Sequence, residues 1–146
     1  ATWDNGGIDT HVRQPILRAV HQKSEEFGHL SVDDIDQVIR RGLAEGDYML
    51  RVAGYEIDLE QLADKYIERY AEWIANNILD GVFDNLRGIK SLILVGGGAT
   101  LIEDSMRKWY DHKLLDRRKH PSTKKIHPVD FNAVGGIRFA LMRLNQ

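Results

Sequence analysis

Cysteine is absent from the 146-residue chain, which excludes a disulfide framework and any thiolate metal site. That absence fits a reducing interior and leads us to expect a cytoplasmic protein. No apolar run reaches the eighteen or so residues that a membrane-spanning helix needs, and no signal peptide is recognisable. Charge of one sign is also lacking: 20 Lys and Arg stand against 22 Asp and Glu, a formal net charge of −2. Bulk electrostatics therefore point to neither nucleic acid nor membrane. Internal repeats and low-complexity segments are missing as well. The six histidines, at 11, 21, 29, 112, 120 and 127, show no i, i+4 pairing on one helix, so no metal site is expected.

What remains is an ordinary globular composition, 42% apolar and 29% charged, with length for a real core. The opening Ala1-Thr2-Trp3-Asp4-Asn5-Gly6-Gly7 reads as an excised piece of a longer protein. A first helix is expected from Thr10 or Pro15 to Phe27, stopped by Gly28. Ser31-Val32-Asp33-Asp34 has the form of a capping box. It opens a helix with Val32, Ile35, Val38, Ile39 and Leu43 on one stripe. Between Asp47 and Asp58, Tyr48, Leu50 and Val52 alternate, as do Tyr55 and Ile57, around Ala53-Gly54; this predicts a short hairpin. Asp58 then caps a long helix striped by Leu62, Tyr66, Tyr70, Ile74 and Ile78 and ended by Gly88.

The next segment, Ser91-Leu92-Ile93-Leu94-Val95, is too short for a helix and lies between glycines, so it is expected to be a buried strand. Gly96-Gly97-Gly98 follows, and a helix is expected from Thr100 to Tyr110. Lys113 to Lys125 reads as a basic loop that is solvated in the simplest view, Lys125 to His127 as a short strand, and Asp130 to about Arg143 as a last helix.

The strand–glycine–helix junction carries the chemistry. A helix N-terminus presents unpaired N–H groups and partial positive charge. Glycines remove side chains that would hold an anion or a sugar away. Such a junction is a natural phosphate or nucleotide seat. The dinucleotide fingerprint would need glycine at Leu101, and the P-loop would need Gly-Lys-Ser/Thr, which does not occur.

Val95-Gly96-Gly97-Gly98-Ala99 resembles the second nucleotide loop of the actin, sugar-kinase and heat-shock-chaperone ATPase superfamily. Asn132-Ala133-Val134-Gly135-Gly136, about thirty residues on, resembles the superfamily's second glycine-bearing helix start. The likeness runs over roughly residues 6 to 144 and is strongest to the ParM/StbA plasmid-segregation actins and their archaeal and phage relatives. It implies an α/β fold: a ribonuclease-H-like actin-type subdomain at 91–146, with a helical lobe, hairpin and long connecting helix at 1–90. It implies that Gly96, Gly97 and Gly98 approach the ribose and α-phosphate, that Ala99 and Thr100 start the helix facing the nucleotide, and that Ile102 stands by the base. Arg40, Arg41 and Glu45 are the lobe residues expected on the far side of the base. ATP or GTP with Mg²⁺ is the implied cofactor, the metal being held by acidic turns outside this chain. No catalytic residue and no metal ligand is assigned here. Asp4-Asn5-Gly6-Gly7 is read as a turn rather than one of those acidic hairpins. The implied partners are further subunits in a filament, and DNA through an adaptor protein. A cell-shape, division or kinase relative, or a helical interaction module without nucleotide, are the alternatives.

Overall fold

The computed structural model describes residues 7–80, 87–88, 91–95, 98–110 and 138–142. The chain divides into two compact units, Ala1–Arg69 and Tyr70–Gln146.

In the first unit a π-helical segment, Asp9–Arg13, runs into α1, Gln14–His21. Pro15 sits in the first turn of α1. Its missing N–H and bulky ring disturb the preceding turn, and a widened coil directly before it accommodates both. Val12, Ile16 and Val20 recur every four residues and lose all solvent exposure. The expected single helix to Phe27 is not continuous: Ser24 is extended (φ −163°, ψ 150°), and a separate 3-10 turn spans Glu25–Phe27. The break turns Phe27 inward, where it is buried and meets Tyr55 edge-on with centroids 6.1 Å apart. Local helix propensity gives way there to burial of one aromatic ring.

The capping box opens helix α2, Val32–Glu45, at Ser31. The Ser31 N–H donates to Asp34 Oδ2 at 2.7 Å, and the Asp34 N–H donates to Ser31 Oγ at 3.4 Å. Ile35, Val38 and Ile39 form its buried stripe, and α2 packs on α1. Arg13 and Arg40 both hold Asp36, at 2.8 and 2.7 Å, which ties the two helical segments together at their rim. The helix ends at Gly46, whose φ of 75° is the left-handed conformation that favours glycine.

Strands β1, Met49–Val52, and β2, Tyr55–Asp58, form the expected antiparallel hairpin, with Val52 opposite Tyr55. Its two-residue turn has positive φ at both Ala53 (47°) and Gly54 (86°), the mirror-type turn that matches strand twist. Helix α3, Glu60–Ile74, follows, and its first turn is capped as expected: Asp58 Oδ1 accepts from the Glu60 N–H at 2.9 Å. A second π-helical segment, Ala75–Asp80, continues it.

In the second unit β3, Ser91–Val95, is a strand, with Leu92 and Leu94 buried. Helix α4, Ala99–Tyr110, packs on it and buries Leu101, Ile102, Met106 and Tyr110. One expectation is overturned. Residues expected in the last helix instead form β4, Arg138–Met142, antiparallel to β3 with Leu92 opposite Leu141 and Leu94 opposite Phe139. Arg-Phe-Ala-Leu-Met fits either period, and β3 exposes a row of backbone donors and acceptors that needs a partner. Pairing decides the case. The expected strand at Lys125–His127 and the basic loop lie outside the described residues, as do Asp4, Asn5 and Gly6.

Candidate functional site

Two places hold the residues singled out from the sequence. The first is the β3–α4 junction. Gly96 and Gly97 fall outside the described residues. Gly98 is a buried turn residue, and its carbonyl accepts from the Leu101 N–H at 3.1 Å. Helix α4 starts at the very next residue, with residues 96–98 between it and the end of β3. Ala99 and Ile102 are fully buried, so their side chains serve the packing of α4, while Thr100 is the exposed side chain of the first turn. Burial of Ala99 and Ile102 fixes the direction of the α4 N-terminus. The positive end of its dipole then lies next to Gly98.

This arrangement suits a phosphate or a sugar approached through main-chain groups. A metal is a different matter: among the described residues, no three His, Asp or Glu side chains converge. The second glycine-bearing element, Asn132–Gly136, lies outside the described residues, and the expected last helix is the strand β4 over Arg138–Met142.

The second place is the end of α2. Arg40, Arg41 and Glu45 all lie in its last two turns. Glu45 is exposed. Arg40 pairs with Asp36. Arg41 is committed to the hairpin: its Nε donates to the Asp47 carbonyl at 3.2 Å and lies 3.1 Å from Asp47 Oδ2, and its Nη2 donates to the Met49 carbonyl. Asp47 in turn accepts from Arg51 at 3.0 Å and from the Met49 N–H at 3.0 Å. The Arg51 hydrogen bond, and then that of the Met49 amide, hold the Asp47 carboxyl below the usual carboxylate range.

Sequence reasoning missed this cluster, because Asp47, Arg51 and Arg41 lie at spacings that carry no motif. Gly42 was missed too, although a glycine inside a striped helix is itself a signal of close approach.

Residues 7–108, over two thirds of the chain, match the protein family described as the archaeal actin homologue MreB-like, C-terminal. No curated protein and no solved structure matches the chain. The match spans both the helical lobe and the β3–α4 junction. Among the described residues, no helix is long and apolar enough to cross a membrane.

Proposed function

The chain belongs to the C-terminal family of archaeal MreB-like actin homologues, and from that premise we propose that it forms the nucleotide-clasping half of an actin-type cytoskeletal ATPase. The observation that carries this reading is that β3 ends at Val95 and α4 begins at Ala99, with Gly98 as the turn at its start. In the proposal Gly96, Gly97 and Gly98 approach the ribose and α-phosphate of ATP or GTP through their backbones, and the first turn of α4, at Ala99 and Thr100, faces the phosphates. Buried Ala99 and Ile102 hold that turn in place. Of the lobe residues, Arg41 contributes by bracing the hairpin against α2, and Arg40 and Glu45 are the ones with exposed side chains. The Mg²⁺ that accompanies the nucleotide falls to acidic residues outside this chain. Hydrolysis then belongs to the assembled protein, because charge stabilisation needs the metal and both phosphate loops together.

The finer reading is a ribonuclease-H-like subdomain within a filament-forming actin that segregates plasmid DNA through an adaptor. It draws on Val95-Gly96-Gly97-Gly98-Ala99. The MreB-like description of the matched family favours a second reading, a cell-shape actin of the same superfamily. Both share the nucleotide site.

A thermal-shift series with ATP, ADP and GTP plus Mg²⁺ on the full-length protein tests the site. A ligand at a hundred times its Kd stabilises the fold by about 2.7 kcal/mol. The expected result is a rise in Tm that is lost in Gly97→Val. No shift with any nucleotide at millimolar concentration leaves a helical interaction module as the better description. Light scattering on nucleotide addition then reads assembly, and co-pelleting of DNA with and without candidate adaptors separates the plasmid reading from the cell-shape one.

A further inference from the structure

The two outer edges of the β1–β2 hairpin are treated differently by the sequence. A two-residue turn makes Val52 and Tyr55 a hydrogen-bonded pair, and such pairs alternate along an antiparallel ladder. Leu50/Ile57 and Tyr48/Leu59 continue the series, and the Leu59 N–H does donate to the Tyr48 carbonyl at 3.0 Å. The backbone groups of Met49, Arg51, Glu56 and Asp58 therefore point outward, away from the partner strand.

On the β1 side both outward groups of Met49 are occupied. Its N–H donates to Asp47 Oδ1 at 3.0 Å, and its carbonyl accepts from Arg41. These side chains plug the Met49 end of the β1 edge in the manner by which folded proteins block strand addition. On the β2 side nothing equivalent exists among the described residues: Tyr55, Glu56 and Asp58 are exposed, and no side chain caps the outward N–H or carbonyl of Glu56 or Asp58. Glu56 and Asp58 also project from the same sheet face, two residues apart; Arg51, directly opposite Glu56, pairs with it at 3.4 Å, an exposed ion pair of little strength.

We propose that the open edge of β2 accepts an extended peptide of a partner protein as a third, antiparallel strand, and that this peptide carries Lys or Arg at alternate positions. The backbone supplies the pairing, and the acidic pair chooses the partner. A second copy of the same edge is disfavoured by charge: two β2 strands paired about Ile57 would set Glu56 opposite Asp58 in both halves.

The test uses the whole chain and an eight-residue peptide alternating lysine and valine. Two N-methylated forms accompany it, one blocking every second amide and the other blocking the intervening set. Fluorescence anisotropy reads binding, and amide hydrogen exchange reads its place. The expected result is slowed exchange at Glu56 and Asp58 but not at Arg51, with binding abolished by one N-methylated form and kept by the other. Glu56→Lys should weaken binding at least threefold while circular dichroism stays unchanged, and Arg51→Ala, which releases Glu56 from its cross-strand ion pair, should not weaken it. Equal binding of both N-methylated forms means charge adsorption alone and overturns the proposal. So does protection of Glu56 and Asp58 that grows with protein concentration in the absence of peptide, which would make the occupant a second copy.

Discussion

The Tyr48 ring lies against Gly42 so closely that a Cβ built on that glycine would overlap the ring itself, not the tip of a flexible chain. Gly42 sits inside α2 and is buried, and Tyr48 leads into β1. The contact sets how near the hairpin can approach the helix, and it brings Arg41 within reach of Asp47 and Met49. Burial, then the nearby carboxylates of Asp64 and Glu60, push the Tyr48 hydroxyl above its ordinary range.

Gly42→Ala should therefore destabilise the lobe, although alanine is the better helix former. Overpacking costs roughly 1–3 kcal/mol, against about 1 kcal/mol gained in helix propensity. A lower urea midpoint with an unchanged slope is the expected result. A midpoint at or above that of the parent chain would mean that the ring is free to move aside.

The hairpin turn offers the opposite outcome. Ala53 has φ 47°, a conformation that L-residues with a Cβ resist and that asparagine tolerates. Ala53→Asn places the favoured Asn-Gly pair in this turn and should raise stability by about 0.5–1 kcal/mol. Thermal unfolding checks it, with Ala53→Val as the control expected to fall.

Removing Arg41 should loosen the hairpin more than the helix. Arg41→Met keeps the aliphatic stem but leaves the Met49 carbonyl without its donor and the Asp47 carboxylate with Arg51 and the Met49 amide alone. A lost hydrogen bond to a charged group costs about 1.5–3 kcal/mol, reduced here by partial exposure. Faster amide exchange at Leu50 and Ile57, with α2 amides less affected, is the expected pattern.

The α2 cap is pH-dependent with a definite sign. Hydrogen bonds from the Ser31 amide and then its hydroxyl lower the Asp34 carboxyl below its ordinary value. A depressed folded-state pKa means that the contribution is present above the unfolded value, about 3.9, and is lost as pH falls through the folded one. A side-chain carbon NMR titration of Asp34 should place its midpoint below that of an ordinary aspartate. Ser31→Ala should raise the midpoint and cost roughly 1 kcal/mol through loss of the cap. An unchanged midpoint would remove the cap's role.

Much of the lobe was legible because its signals are local. The Ser31 cap, the alternation around Ala53-Gly54 and the Asp58 cap each act within a few residues, and each stands where the sequence put it. The continuous helix to Phe27 failed because burial of Phe27, a tertiary demand, outweighed helical period at Ser24. At the junction the order strand, glycine, helix was readable from letters alone. The role of Arg41 was not, since one arginine on a helix does not reveal which carbonyl it will reach.

Sequence by itself determined where the helices at Ser31 and Asp58 are capped, where the hairpin turns and that Ser91–Val95 is extended, because caps, turn glycines and short apolar runs act on their own neighbourhoods. Tertiary structure alone decided that residues 138–142 pair with that strand, and that Asp47 and Arg41 occupy the outward groups of Met49 while, among the described residues, those of Glu56 and Asp58 have no such cap. Both outcomes depend on backbone groups finding partners far along the chain, and no local pattern of side chains encodes which partner arrives.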